Sequence, residues 1–344
     1  MPLSEEQRTR YSRTLALRDF SERDMDTILD TSVAVVGAGG LGSPALRLLT
    51  AMGFGHIRII DRDIVELSNL QRQTIYNTAD VGKPKAAAAA ANLSEMNPDV
   101  KLEPITVSID ERNSKRVLKG VDIILDGLDS FHAREAVNRA SLSLSVPYIY
   151  AGAIEYYANI STFIPGRTGC LHCLMGDFED SEETTCARVG VIPTVLSMAA
   201  TVQVQEAIHL AVGREPNLAN RLMTIEMQSL GIDTFEISRD SQCPICSTES
   251  GAASAETESP TVTPLCSGSF NVSASGGFSA DLAALAEALK NEYSVESRTG
   301  YLRLKRTDGI TVTLMQHGNA IIRGVASTDE ALAIYREIIG KSAS

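Results

Sequence analysis

The chain has 344 residues, a formal charge of −12 at pH 7, 44% hydrophobic and 22% charged residues. That length accommodates one large unit and a small one, or two of medium size. The acidic balance argues against a nucleic-acid surface, no run of about 18 apolar residues offers a membrane span, and six cysteines are too few for a disulfide scaffold. The opening MPLSEEQRTRYSR has no apolar leader core, so the cytoplasm is the expected compartment.

In chain order, Ser4 caps a predicted helix over 4–18, with Glu5 and Glu6 in its first turn. Ser32–Val36 is an apolar run ending in glycines and reads as a buried strand. Leu41–Met52 has helical spacing, and His56–Ile60 is a second strand ending at Asp61. The alanine-rich Lys83–Glu95 is a helix by propensity. Strands follow at Leu102–Val107, Val121–Leu125 and Pro147–Ala151, separated by helices near Arg112–Leu118 and His132–Leu144. Such alternation predicts a Rossmann-like, mostly parallel sheet with helices on both faces.

Beyond Ala151 the rhythm shortens. Asn159–Ile164, Arg221–Ile225 and Gly231–Ile237 read as an antiparallel extension, and Pro193–Gly213 as one long helix. Ser247–Pro264 is small, polar and proline-containing, a linker by composition. In the tail, Asp281–Leu289 and Thr328–Ile338 have helical spacing. Tyr301–Lys305, Ile310–Met315 and Ala320–Gly324 alternate like strands, with turns at Asp308-Gly309 and Gly318-Asn319. The expected division is 1–247, a linker over 248–265, and a small α/β unit over 266–344.

Gly37, Gly39 and Gly42 form a GxGxxG between a strand and a helix. The glycines permit a tight turn and let a helix N-terminus face a phosphate. Asp61 ends the next strand, placed to accept ribose hydroxyl protons. A nicotinamide dinucleotide would fit this much. It gives no part to Arg72 or to Lys85, which opens a helix. Two such cations converging on a ribose-anchored ligand suit a polyphosphate. Asp126-Gly127-Leu128-Asp129 closes a further strand, and a carboxylate beside a triphosphate is a natural magnesium ligand.

Several motifs agree in order and spacing: Arg10-Tyr11-Ser12-Arg13, GAGGLG at Gly37–Gly42, Asp61-Arg62-Asp63, Ser68-Asn69-Leu70-Gln71-Arg72-Gln73, Gly82-Lys83-Pro84-Lys85, Asp129 and the later cysteines. Over roughly 4–247 the chain resembles the ThiF/MoeB/HesA family, relatives of the ubiquitin-activating enzymes. The resemblance implies adenylation, with MgATP, of the C-terminal glycine carboxylate of a ubiquitin-like or sulfur-carrier protein ending in Gly-Gly, by a homodimer. It implies that Gly40 approaches the nucleotide through its backbone and that Asp61 holds the ribose. Ser68 to Arg72 would line the phosphates, Asn69 and Arg72 making the polar contacts. Lys85 would neutralise the phosphates and Asp129 bind magnesium. Asp63, Leu70, Gln71, Gln73 and Ser130 complete the expected nucleotide-binding set. Arg13 resembles the family's arginine finger, which reaches the ATP of the partner subunit. The chain departs from the family pattern at Ser130, usually Asn, and at Thr14, usually Gln.

Cys170-Leu-His-Cys173 and Cys243-Pro-Ile-Cys246 supply four thiolates, enough to close a tetrahedral, structural zinc site; free or redox-active cysteines are the alternative. Cys186 resembles by position the family's loop cysteine, which in some members forms a thioester, acyl-disulfide or persulfide link with the carrier. An ordinary loop cysteine is the alternative. The tail is too short for a rhodanese-type sulfur donor and weakly resembles the module that ends some relatives. It could dock the carrier or the next enzyme, or only stabilise the chain. Partners beyond the carrier would be a sulfur donor or a downstream conjugating enzyme, with no nucleic acid and no membrane. Molybdopterin synthesis, thiamine synthesis, tRNA thiolation and protein conjugation share the same first step. Two other readings stay open: an NAD-dependent oxidoreductase, and a non-catalytic scaffold of the same fold.

Overall fold

The structure, a computed structural model, describes residues 3–176, 189–247, 260–264, 269–273, 281–298, 301–315 and 318–341. The predicted first helix is two: α1 (Glu5–Arg10), closed at its start by a Ser4–Gln7 capping box, and α2 (Ser12–Leu15). A helix without a sequence prediction follows, α3 (Glu22–Asp30). It is capped by Ser21 with Asp24 and buries Met25 and Ile28. Strands β1 (Ser32–Val36), β2 (His56–Ile60), β3 (Lys101–Ile105), β4 (Ile123–Asp126) and β5 (Tyr148–Ile154) pair in parallel in the order β3-β2-β1-β4-β5. Their crossovers carry α4 (Gly42–Met52), α5 (Lys85–Met96), α6 (Ser114–Leu118) and α7 (Phe131–Leu144).

β6 (Tyr157–Phe163), β7 (Arg221–Glu226) and β8 (Gly231–Glu236) then extend the sheet antiparallel to eight strands. Between β6 and β7 lie α8 (Leu171–Met175) and α9 (Pro193–Ala211). Strand alternation sends Val33 and Val35 to one face, against α3, α4, α5 and α9. Ala34 and Val36 face the opposite side, against α6 and α7. Burying a side chain of this kind contributes about 1.5–3 kcal/mol, so both faces drive the layering.

The second sheet has six strands in the order β11-β12-β13-β14-β10-β9. These are β9 (Thr261–Pro264), β10 (Phe270–Ser273), β11 (Ser294–Arg298), β12 (Tyr301–Lys305), β13 (Thr311–Met315) and β14 (Ala320–Arg323). Helices α10 (Leu282–Leu289) and α11 (Thr328–Gly340) cover one face with their own apolar core. β9 falls inside the stretch read as linker, which corrects that boundary. The β-branched Thr-Val-Thr pairs with β10, although its flanks have linker composition. No helix among the described residues is long and apolar enough to cross a membrane.

Candidate active site

The parallel strands end in one cavity of about 490 Å³. Its floor is the crossing of β1 and β4, where Gly37 N–H donates to the Ile60 carbonyl and Gly127 N–H to the Val36 carbonyl, both at 2.7 Å. Gly37 has φ +96°, and a Cβ on it would come within 2.3 Å of the Gly127 oxygen; one on Gly42 would come within 1.8 Å of the Gly37 oxygen. Packing therefore demands these two glycines. Gly39 differs. A Cβ there would meet nothing nearer than Gln73 Nε2 at 3.8 Å, so its missing side chain leaves cavity space rather than relieving a clash. No side chain among the described residues caps α4, which leaves amide donors for an anion at its start.

Asp61 sits at the β2 end, 8% exposed. Its two oxygens accept from Ala38 N–H and Asp63 N–H, each at 2.7 Å. Burial pushes this carboxyl up, against the pull of Lys85. Lys85 opens α5 and is buried, its Nζ 3.1 Å from Asp63 Oδ2. For Asp63, burial works against the charge, but Lys85 and Arg62 outweigh it and hold the carboxyl below its ordinary value. Asp63 and Asp61 likewise outweigh burial at Lys85 and hold its ammonium above its ordinary value. Residues 63–85 form a strap whose base is closed by the Ile64–Pro84 bridge, Val65 N–H to the Lys83 carbonyl and Gly82 N–H to the Val65 carbonyl.

The strap delivers Asn69, Arg72 and Gln73 to the cavity. Asn69 Oδ1 accepts from Glu66 N–H at 3.0 Å, which fixes the turn. Arg72 donates to the Ser68 carbonyl at 3.0 Å and has no carboxylate partner among the described residues. Gln73 is 2% exposed, and its Oε1 has no hydrogen-bond partner among the described residues. A buried acceptor left unpaired at a cavity wall is a place for a ligand or water donor. Asp129 is exposed at the rim, and Ser130 caps α7 through Ala133 N–H.

Beneath the rim lies a network that the sequence reading missed. Buried Arg134 donates to Asp126 Oδ2 at 3.0 Å, to the Leu128 carbonyl at 2.6 Å and to the Ala151 carbonyl at 3.0 Å. It also lies 5.3 Å from the centroid of Phe131 and 5.4 Å from that of Tyr150. Tyr148 donates to Asp126, and Gln203 Nε2 donates to the Asp126 and Ile149 carbonyls. The network fixes the Gly127–Asp129 turn from below.

Ser68, Leu70 and Gln71, expected at the nucleotide, do not line the cavity: Ser68 and Gln71 are exposed on the strap, and Leu70 packs against the main core. Arg13 is exposed on α2, also outside the cavity of its own chain. Cys186 lies outside the described residues. Val107, Ser108 and Ile109 after β3, and Pro264, Ser269 and Ile321 of the second sheet, line the cavity without having been foreseen.

Away from the cavity, the sulfurs of Cys170, Cys173, Cys243 and Cys246 lie within 4.8 Å of one another. Cys170 is 3.8 Å from Cys243, and Cys173 is 3.5 Å from Cys246. A tetrahedron with zinc–sulfur arms of about 2.3 Å has edges of about 3.8 Å, so the cluster is compatible with zinc. Burial pushes the Cys170 thiol up to about 11. Thiolates gathered this closely are stable only beside a cation.

The ThiF family model matches residues 11–245. The chain belongs to the ThiF family. It is 30% identical to the sulfur carrier protein ThiS adenylyltransferase of Bacillus subtilis, over 96% of this chain and 99% of that one. It is 32% identical to the SAMP-activating enzyme E1 of Haloferax volcanii, over 74% and 94%. Molybdopterin-synthase adenylyltransferase of Escherichia coli is 29% identical over 71% and 98%. Among solved structures, E. coli MccB superposes with a TM-score of 0.63 at 26% identity, covering 71% of this chain and 73% of that one. Both the family and the fold are those expected from the motifs, and ThiF-family adenylyltransferases use ATP.

Proposed function

We propose that this ThiF-family protein uses ATP to adenylate the C-terminal carboxylate of a small ubiquitin-like or sulfur-carrier protein ending in Gly-Gly. The observation that carries the reading is the meeting of Arg72, Lys85, Gln73 and Asp129 in one cavity with the glycine turn and Asp61. The relatives named for carrier adenylation support it. A nicotinamide pyrophosphate leaves Arg72 and Lys85 without a task.

Asp61 accepts the ribose hydroxyls on the lone pairs that Ala38 and Asp63 leave free. The open side of Gly39 admits the phosphates to the start of α4. Arg72 and Lys85 face the phosphoryl oxygens, where negative charge grows. A carboxylate oxygen of the carrier attacks the α-phosphorus, the bond from that phosphorus to the bridging oxygen breaks, and pyrophosphate leaves with the electron pair. No base is required, because a carboxylate is already ionised at pH 7. Asp129 and the neighbouring phosphates would hold magnesium, which supplies further positive charge when bound. The carrier tail would enter past Tyr157, Asn159 and Val191, on the side of the antiparallel extension. Because Arg13 lies outside its own cavity, it would serve the cavity of a second subunit. The four cysteines would hold a structural zinc. The two-unit division and a cytoplasmic setting belong to the same reading.

The test mixes the protein with ATP, magnesium and Gly-Gly-ended carriers and measures carrier mass after acid quenching. A gain of one AMP on the carrier is the expected result. No adduct with any carrier, together with thermal protection by NAD rather than ATP, would overturn the reading.

A further inference from the structure

The second sheet is asymmetric. Leu302, Leu304, Val312, Leu314 and Ile322 face α10 and α11. The register places Arg303 beside Thr313 and Thr313 beside Ile321, on the opposite face, which no helix among the described residues covers. Met315 pairs with Tyr301, and Arg323 with Thr311, on that same face. This face grips the strap at its base. Ile321 and Met315 pack on Ile64. Arg323 forms an ion pair with Glu66. Arg303 lies over the base of the strap, where a Cβ on Gly82 would come within 2.7 Å of its Nη1. All three contacts fall between Asp63 and Lys85, the segment that presents Asn69, Arg72 and Gln73. Ile321, Pro264 and Ser269 also reach the cavity itself.

Charge gives the contact a purpose. Among the described residues, the lining offers the carboxylates of Asp61, Asp63, Glu66 and Asp129 against Arg62, Arg72, Lys85 and Arg134. Arg134 is already committed to buried Asp126. An anionic triphosphate thus meets one acid too many unless another cation covers it. Arg323 sits on Glu66, and its charge also reaches Asp63. Lys85 and Arg72 are then left to the phosphates.

We propose that the C-terminal unit is the outer wall of the nucleotide site, with Arg323 a positioning residue that neutralises Glu66 and Ile321 a wall residue that seats the strap. The inference rests on the ATP reading above and extends it: the C-terminal unit sets nucleotide affinity, while the opposite wall, at Tyr157 and Asn159, serves the acyl partner.

The test uses the full-length chain with a fluorescent ATP analogue and magnesium, followed by steady-state adenylation with carrier. Arg323→Glu places two acids together at a half-buried contact, so the analogue's Kd and the KM for ATP should rise about tenfold, with the KM for the carrier unchanged. Arg323→Lys should restore most of the affinity. Hydrogen exchange over the strap should quicken in Arg323→Glu, while exchange in α11 stays as in wild type, which separates loss of the contact from loss of the unit's fold. Should Arg323→Glu unfold that unit, Arg323→Gln gives the same readouts in the same directions. Wild-type nucleotide affinity in a folded Arg323→Glu or Arg323→Gln would overturn this inference and leave the ATP reading standing. A wild-type chain that binds no ATP would overturn both.

Discussion

Arg134 and Arg72 flank the same cavity in opposite states. Arg134, below the floor, spends its donors on Asp126, Leu128 and Ala151 and stacks near two aromatic rings. Arg72, on the rim, donates to one carbonyl of its own strap. The floor shows how a buried cation is kept by complete satisfaction, and the rim shows charge held in reserve for a ligand. Stability should therefore reside in the floor and turnover in the rim, and substitutions can separate the two.

The largest effect should come from the floor. Arg134→Met leaves Asp126 buried without its partner and should cost about 3–5 kcal/mol of unfolding free energy in a denaturant titration. Unchanged stability would break the contrast. On the rim, Arg72→Ala should lower the adenylation rate by about 10²–10³-fold. Its melting temperature should stay near that of wild type, since Arg72 supports little else in the fold. Gly39→Ala sharpens the comparison between glycines. It should weaken nucleotide binding by about tenfold, a cost of the order of one lost ligand contact, in a protein that still folds. Gly42→Ala, with its 1.8 Å clash, should not give folded protein.

The smallest effect is in pH. Asp63 is held below its ordinary value, so its contribution is complete above about pH 4 and fades as pH falls through the lower folded value. Lys85 is held above its ordinary value, so its contribution is complete below about pH 10 and fades as pH rises through the higher folded value. Between those limits the contribution of the pair should not change with pH. Asp63→Asn should make the acid step shallower in a plot of unfolding free energy against pH, since other carboxylates held low, Asp80 and Glu103 among them, still contribute.

The parallel half was legible because β1, β2 and β4 are Val/Ile-rich runs closed by glycine or aspartate, with strong helix formers between. Helix α3 escaped although Ser21 and Asp24 announce its cap, because Met25 and Ile28 are too sparse to show a stripe. β9 and β11 escaped because Thr-Val-Thr sits in linker-like flanks and Val295 is set among polar residues. That Asp61, Lys85 and Asp129 come to the cavity was legible because each stands just past a strand or at the start of a helix, whereas Arg72, on the strap, was legible only from its motif. Arg134 and Ile321 were not. On α7 an arginine reads as solvated surface until Asp126 and Ala151 are seen around it. Ile321 reads as core until the register turns it away from α10 and α11, toward Ile64.

The most direct measurement is carrier-dependent exchange of labelled pyrophosphate into ATP by the wild-type protein and by Arg72→Ala. Exchange that requires both a Gly-Gly carrier and magnesium, and that falls at least a hundredfold in the variant, is the expected result. Exchange that proceeds equally well without Arg72 would contradict the assignment of the rim cations to the triphosphate.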